Sequence, residues 1–275
     1  MIPVGFEYER AETAEHALEL LAEHGDDAKL LAGGHSLLPL MKLRLAAPAV
    51  VIDIARIEGL SYIRVDGAWL AIGALTRHRD LEISPLVLEH APLLARAASQ
   101  VGDPQVRHRG TIGGSLVHGD PASDLAAVVI ALGGELVIRG RREQRTLGVD
   151  EFFTGFLETA VGADELLTEI RVPCVGGTAW SFQKFNRRAQ DWAIVGVAAV
   201  ALNGGAGIGL VNMGATPLRA TASERAVASG AGAVEAASLA ADGAAPPSDV
   251  QASEEFRRHL AGVLTRRALQ ECGLE

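Results

Sequence analysis

The chain has 275 residues, 48% of them hydrophobic and 4% aromatic, with a formal net charge of −9; that is enough apolar material for a core shared by two or three subdomains. An acidic chain without a basic block argues against nucleic acid and anionic membrane as partners, and no apolar run reaches the roughly 18 residues of a membrane span. The N-terminal MIPVGFEYER lacks the order of a secretory signal, and Cys174 and Cys272 form no C-x-x-C pair, so a reducing, cytoplasmic setting is expected, with no iron–sulfur cluster or structural zinc on this chain.

Taken in chain order, the apolar spacing of TAEHALELLAEH predicts a helix over 13–24, stopped by Gly25. Lys29-Leu30-Leu31-Ala32 reads as a buried strand that runs into a tight Gly33-Gly34 turn, and a helical connection leads to a second strand at Val50-Val51-Ile52-Asp53-Ile54. Residues 1–57 therefore form a small α/β unit. Asp66-Gly67 between alternating apolar residues signals a hairpin of 61–65 with 69–73. Helices are expected near 76–82, 88–99 and 124–132, and strands at 135–139 and 169–172. Residues 58–175 read as a mainly antiparallel α+β unit. After Pro173 and Gly176-Gly177 come strands at 178–185, 195–203 and 207–214, then helices at 219–229, 232–241 and 251–271, giving a third unit of strands followed by helices over 176–275.

Two stretches carry most of the chemical information. In Gly33-Gly34-His35-Ser36 and Gly113-Gly114-Ser115, paired glycines let the backbone approach a ligand, and successive N–H groups in such turns can cradle an anion. The bland alternative for either loop is a tight turn in a glycine-rich chain. No G-x-G-x-x-G follows a strand and there is no G-x-x-x-x-G-K-[ST], which argues against Rossmann and P-loop domains; Gly204 to Gly209 reads as a hairpin turn. Asp124, just ahead of an apolar run, suits a helix N-cap region or a ligand hydroxyl. Lys184-Phe185-Asn186-Arg187-Arg188 is either a solvated basic face or the source of one lysine that reaches a ligand. The histidines show no metal-binding spacing, and His35 and His118 read as turn or surface residues.

At these residues a resemblance enters. Ala32 through Arg44 and Gly102 through Gly114 resemble the two flavin motifs of the FAD-binding medium subunits of molybdenum hydroxylases, the family of carbon monoxide dehydrogenase and the xanthine dehydrogenase flavin domain. Asp120 to Asp124, Lys184-Phe185 with Asp191-Trp192-Ala193, and Gly214 to Ala220 follow in the family's order. The resemblance implies an α+β fold: two α/β FAD-binding subdomains of the vanillyl-alcohol-oxidase-like, PCMH type, then a C-terminal strands-plus-helices domain. It implies pyrophosphate contacts at Ala32, Gly33, Gly34, His35 and Ser36 and at Thr111, Ile112, Gly113, Gly114 and Ser115, the last where the family usually has Asn. It also implies a polar contact from Asp124, a lining from Val101, Leu166 and Lys184, and Trp192 near the isoalloxazine edge, with FAD held non-covalently and no catalytic acid or base. The implied partners are a large subunit with the molybdenum cofactor and a small subunit with [2Fe–2S] clusters, as a dimer of heterotrimers, with electrons leaving to NAD, a quinone or another external acceptor. A stand-alone FAD-dependent oxidoreductase and a non-catalytic nucleotide-binding scaffold are the rival readings.

Overall fold

The computed structural model describes residues 2–202 and 204–275. Its first sheet uses Glu7–Arg10 (β1), Ala28–Leu31 (β2) and Val50–Asp53 (β3), in the order β1-β3-β2 with both pairings parallel. Ala14–His24 (α1) crosses between the first two strands, and Leu37–Lys42 (α2) lies between the second and third. Thr13 caps α1 by accepting the His16 N–H, and Gly25, at φ 55°, ends it. The helix buries Ala14, Ala17, Leu18, Leu20 and Leu21. β1 is an addition to the sequence reading: Glu7-Tyr8-Glu9-Arg10 is a largely exposed edge strand and carries no apolar signal. β2 is less buried than expected, because Leu30 lies along an open cleft rather than inside a core.

The second sheet is antiparallel. Ile63–Asp66 (β4) and Trp69–Gly73 (β5) form the expected hairpin, with Gly67 at φ 60° in its turn. Six helices follow: His78–Ile83 (α3), Pro85–His90 (α4), Pro92–Ser99 (α5), Pro104–Arg109 (α6), Ile112–His118 (α7) and Asp124–Leu132 (α8). The helix expected over 88–99 is in fact two, divided at Ala91 and restarted by Pro92, since proline fits the first turn of a helix and not its interior. Pro85 and Pro104 open their helices in the same way. α6 and α7 were not expected, because PQVRHR is short and mostly polar and α7 opens on Ile-Gly-Gly-Ser. Then come Glu135–Arg139 (β6), Gln144–Gly148 (β7), a short hairpin of Phe153–Gly155 (β8) and Glu158–Thr159 (β9), and Leu166–Pro173 (β10). The sheet order is β4-β5-β10-β6-β7.

The third sheet is Trp180–Phe185 (β11), Val195–Leu202 (β12), Gly205–Val211 (β13) and Leu218–Arg219 (β14), antiparallel in that order. Thr221–Ala228 (α9), Ala233–Ser238 (α10) and Glu254–Glu271 (α11) complete the chain, and α11 packs back on β11 and β12. α8 is buried at every position and is wedged between the second and third sheets, as befits a helix that is apolar all round. This explains the glycine run. Gly204 takes the turn, at φ 77°, but Gly205 to Gly209 belong to β13, contrary to the hairpin-turn reading. A Cβ on Gly207 would lie 2.0 Å from the Ala131 oxygen, and one on Gly209 1.9 Å from the Ala127 oxygen. Only a glycine-faced strand can seat α8 so closely. Arg219 fastens the same junction, donating to the Ile130 carbonyl at 2.6 Å while paired with Asp150 and Glu224.

Candidate functional site

A cleft of about 1090 Å³ opens where the three sheets meet. This is at the upper end of the roughly 300–1,000 Å³ typical of clefts for drug-sized ligands, so it suits something larger and extended. One lip is the loop that follows β2, with Ala32, Gly33, Gly34, His35 and Ser36; facing it are Thr111, Gly113, Gly114 and Ser115 at the start of α7. The start of α8, the segment from β8 to β10 and the stretch that follows β11 supply the remaining walls.

The two glycine loops are built differently. In the first, Gly34 sits at φ 78°, a conformation that L side chains rarely adopt, and the backbone N–H groups of Gly33, Gly34, His35 and Ser36 have no acceptor among the described residues. Gly33 serves another purpose: a Cβ there would lie 2.3 Å from the Arg109 oxygen, so its glycine lets the first unit pack on the second. In the other loop the N–H groups are already used. Ile112 donates to the Thr76 oxygen at 3.0 Å, Gly113 to Ala74 at 2.9 Å and Ser115 to Thr111 at 3.0 Å. Gly114 donates to the Thr111 hydroxyl, which caps α7. Gly113 is buried against Ala74, whose backbone oxygen would be 2.6 Å from an added Cβ. Gly114, by contrast, is exposed to the cleft. Ile112 is the one expected residue that does not line the cleft. Its side chain is fully buried in the core, so the second loop presents Gly114 and side chains to the cleft rather than a row of free N–H groups.

Deeper in the cleft lies a buried ion pair. Lys184 Nζ donates to Asp124 Oδ2 at 2.6 Å and to the Gln100 carbonyl at 3.0 Å; the two side chains are 3% and 6% exposed. Burial pushes the Asp124 carboxyl up to about 6, with Lys184 pulling it back. Asp124 Oδ1 is enclosed and has no partner. Ser123 is the N-cap of α8, and Asp124 is the first helical residue, within the expected cap region. Ser115 reaches the Ser123 hydroxyl at 3.1 Å. Within the basic run, then, Arg187 and Arg188 are solvated while Lys184 turns inward. Val101 and Leu166 line the floor, and Trp192 stands 63% exposed at the rim.

Sequence reasoning missed His78, a buried residue that lines the cleft, and the wall from Thr154 to Glu165. Arg145 fastens that wall, gripping Glu165 with both Nε and Nη2 and reaching the Ala160 carbonyl at 2.6 Å. No local motif marks either feature. A separate, shallower hollow of about 310 Å³ between α10 and α11 has its Arg258 already tied to Glu254 and to the Ala241 and Ala244 carbonyls. Among the described residues no group of His, Cys, Asp and Glu is placed to hold a metal ion, and no helix is long and apolar enough to cross a membrane.

Comparison with known proteins agrees with this geometry. Residues 4–175 match the FAD binding domain in molybdopterin dehydrogenase, and residues 180–272 match the CO dehydrogenase flavoprotein C-terminal domain. The chain is 42% identical to the carbon monoxide dehydrogenase medium chain of Hydrogenophaga pseudoflava, over 98% of this chain and 97% of that one. It is 35% identical to the 6-hydroxypseudooxynicotine dehydrogenase complex subunit alpha of Paenarthrobacter nicotinovorans, over 98% and 95%. The solved Hydrogenophaga pseudoflava carbon monoxide dehydrogenase superposes with a TM-score of 0.95, at 43% identity and 99% coverage of both chains. Matched by both family models in sequence order and by relatives of its own length, the chain belongs to the FAD-binding medium subunits of the molybdenum hydroxylase family of oxidoreductases.

Proposed function

We propose that this chain is the electron-transfer subunit of its complex, linking [2Fe–2S] clusters on a small partner to an external acceptor such as NAD or a quinone, with FAD held non-covalently across the cleft. The observation that carries this reading is the donor set. Four unsatisfied N–H groups at Gly33 to Ser36 suit an anionic diphosphate, and the Asp124 carboxyl, held at the cleft wall by Lys184, suits a ligand hydroxyl. The residues present therefore fit FAD. When bound, the flavin supplies exchange between one-electron carriers and a two-electron acceptor. The protein's part is to hold it: the first loop binds the diphosphate, Gly114 and Ser115 close on it from the α7 side, and Lys184 fixes the Asp124 carboxylate. Trp192 lies at the flavin rim. Residues 1–57 and 58–175 act as the two FAD-binding subdomains, and residues 176–275 close the cleft.

Two cysteines, both free, cannot supply the four thiolates of an iron–sulfur cluster, which supports placing the clusters and the molybdenum cofactor on small and large partner subunits, in a dimer of heterotrimers in the cytoplasm. The surface supports partners too. Ile2, Val4, Phe6 and Tyr8 alternate, all exposed, along the edge-strand segment, and uncovered apolar edges of this kind favour association. The test is to mix the isolated flavin-loaded chain with aldehyde and N-heteroaromatic hydroxylase substrates. The flavin absorbance should stay oxidised until the co-expressed partner subunits are added; rapid bleaching of the lone chain by such a substrate would overturn the reading.

A further inference from the structure

His78 has no role in anything assigned above. It opens α3, lines the cleft and is 4% exposed. Its Nδ1 is enclosed without a partner. Its Nε2 and Cδ2 lie against the Gly110 backbone, where an added Cβ would stand 2.8 and 2.6 Å away. Gly110 in turn backs onto Gly33, whose added Cβ would stand 2.9 Å from the Gly110 Cα. The ring and Gly33 thus both pack against Gly110, which places the imidazole beside the loop that carries the free N–H groups.

A buried imidazole without hydrogen bonds is costly, and such groups are normally satisfied. Burial, reinforced by the charges of His35, Arg77 and Arg107, pulls His78 down to about 4, so it is neutral under ordinary conditions and carries one N–H donor. With Nδ1 walled in, the nitrogen left to meet a ligand is Nε2. We propose that His78 is a further cofactor-binding residue, a neutral imidazole whose Nε2–H donates to the FAD diphosphate beside the first glycine loop. The proposal rests on the diphosphate lying along Gly33 to Ser36.

The test uses the full-length apoprotein and the probes FAD and ADP, which share the diphosphate. His78→Leu removes the donor; His78→Gln keeps an N–H near the position of Nε2. Affinity for both probes should fall roughly ten- to a hundredfold in His78→Leu, the range for a hydrogen bond to a charged group, and recover most of the way in His78→Gln. Equal losses in the two variants would reduce His78 to a packing residue, and wild-type affinity in His78→Leu would remove it from the site. Should His78→Leu fail to fold, the wild type still decides: in ¹⁵N-histidine-labelled protein, one Nε2–H resonance, assigned by its absence from His78→Gln, should shift when FAD binds. A resonance that does not move overturns the proposal. Gly34→Val serves as the separate control. If it retains FAD, the diphosphate placement itself is wrong; if it loses FAD while the His78 variants do not, only the role of His78 fails.

Discussion

The two glycine loops share a dipeptide and little else. Around Gly34 the backbone is held in a left-handed turn and leaves its N–H groups unspent, the feature on which the proposed diphosphate contact rests. Around Gly113 the N–H groups are consumed by Ala74, Thr76 and Thr111, and the missing side chain makes room for the Ala74 backbone. On the proposed reading one loop is glycine-rich to bind and the other mainly to pack, and Gly33 packs within the motif that binds. Substitution should pull these functions apart. Gly34→Val forces a β-branched residue into positive φ at the site of ligand approach and should lose FAD almost completely, with less than stoichiometric flavin after gel filtration. Gly113→Ala drives a methyl into backbone and should cost about 1–3 kcal/mol of stability, read from denaturant melts of the apoprotein, before any effect on flavin. If Gly34→Val keeps stoichiometric FAD, the distinction between the loops collapses.

The pair Lys184–Asp124 offers the next largest effect. Its members lie 60 residues apart in sequence and are joined, both buried, at the cleft wall. Lys184→Met leaves a buried carboxylate unpaired and should cost about 3–5 kcal/mol, whereas adding Asp124→Leu to it should restore much of that stability. FAD affinity should not return with stability, because the Asp124 carboxyl would be gone from the cleft wall. A double variant that is stable and binds FAD at wild-type strength would show that Asp124 supports the fold alone.

Two buried groups of the cleft also titrate in opposite senses. His78 is lowered to about 4 in the folded chain, so between that pH and its unfolded value near 6.5 the unfolded chain binds more protons, and stability falls as pH drops through this window. Asp124 is raised to about 6, so the folded chain holds the extra proton between about pH 4 and 6, and stability falls there as pH rises. Each effect is on the order of 3 kcal/mol at full extent and they oppose one another in the wild type. The stability of the wild-type apoprotein relative to His78→Gln should therefore rise with pH over this window, and relative to Asp124→Asn it should fall. Parallel pH profiles would mean that neither group is held as the structure has it.

These cases also show what the sequence can carry. α1, the β4–β5 hairpin and β6 were legible because apolar spacing, a glycine stop and an Asp-Gly turn are local signals. The residues of both glycine loops were legible as a pair of motifs, and all but Ile112 line the cleft. β1 was hidden because three of its four residues, Glu7, Glu9 and Arg10, are charged. The glycines of β13 read as a turn because their reason for being glycine, the carbonyls of Ala127 and Ala131, comes from a helix far away in the chain. His78 and the inward turn of Lys184 were hidden for the same reason: their partners are set by tertiary packing, and nothing in the neighbouring residues names them.

The smallest expected effect belongs to His35, the residue that most invites a larger one. It lies in a Gly-Gly-His-Ser stretch, and some flavoproteins of the wider superfamily attach their cofactor through a histidine in that setting. Here the side chain is exposed, while the backbone N–H of the same residue belongs to the unspent set that faces the cleft. A residue that works through its backbone tolerates replacement of its side chain, provided the new residue fits the turn. His35→Gln should therefore keep stoichiometric FAD, with affinity within a fewfold of wild type. Acid precipitation of the wild-type holoprotein should release the yellow colour to the supernatant. Colour that stays with the pellet in the wild type and disappears from it in His35→Gln would show a covalent bond, and would make the first loop an attachment site rather than a diphosphate cradle.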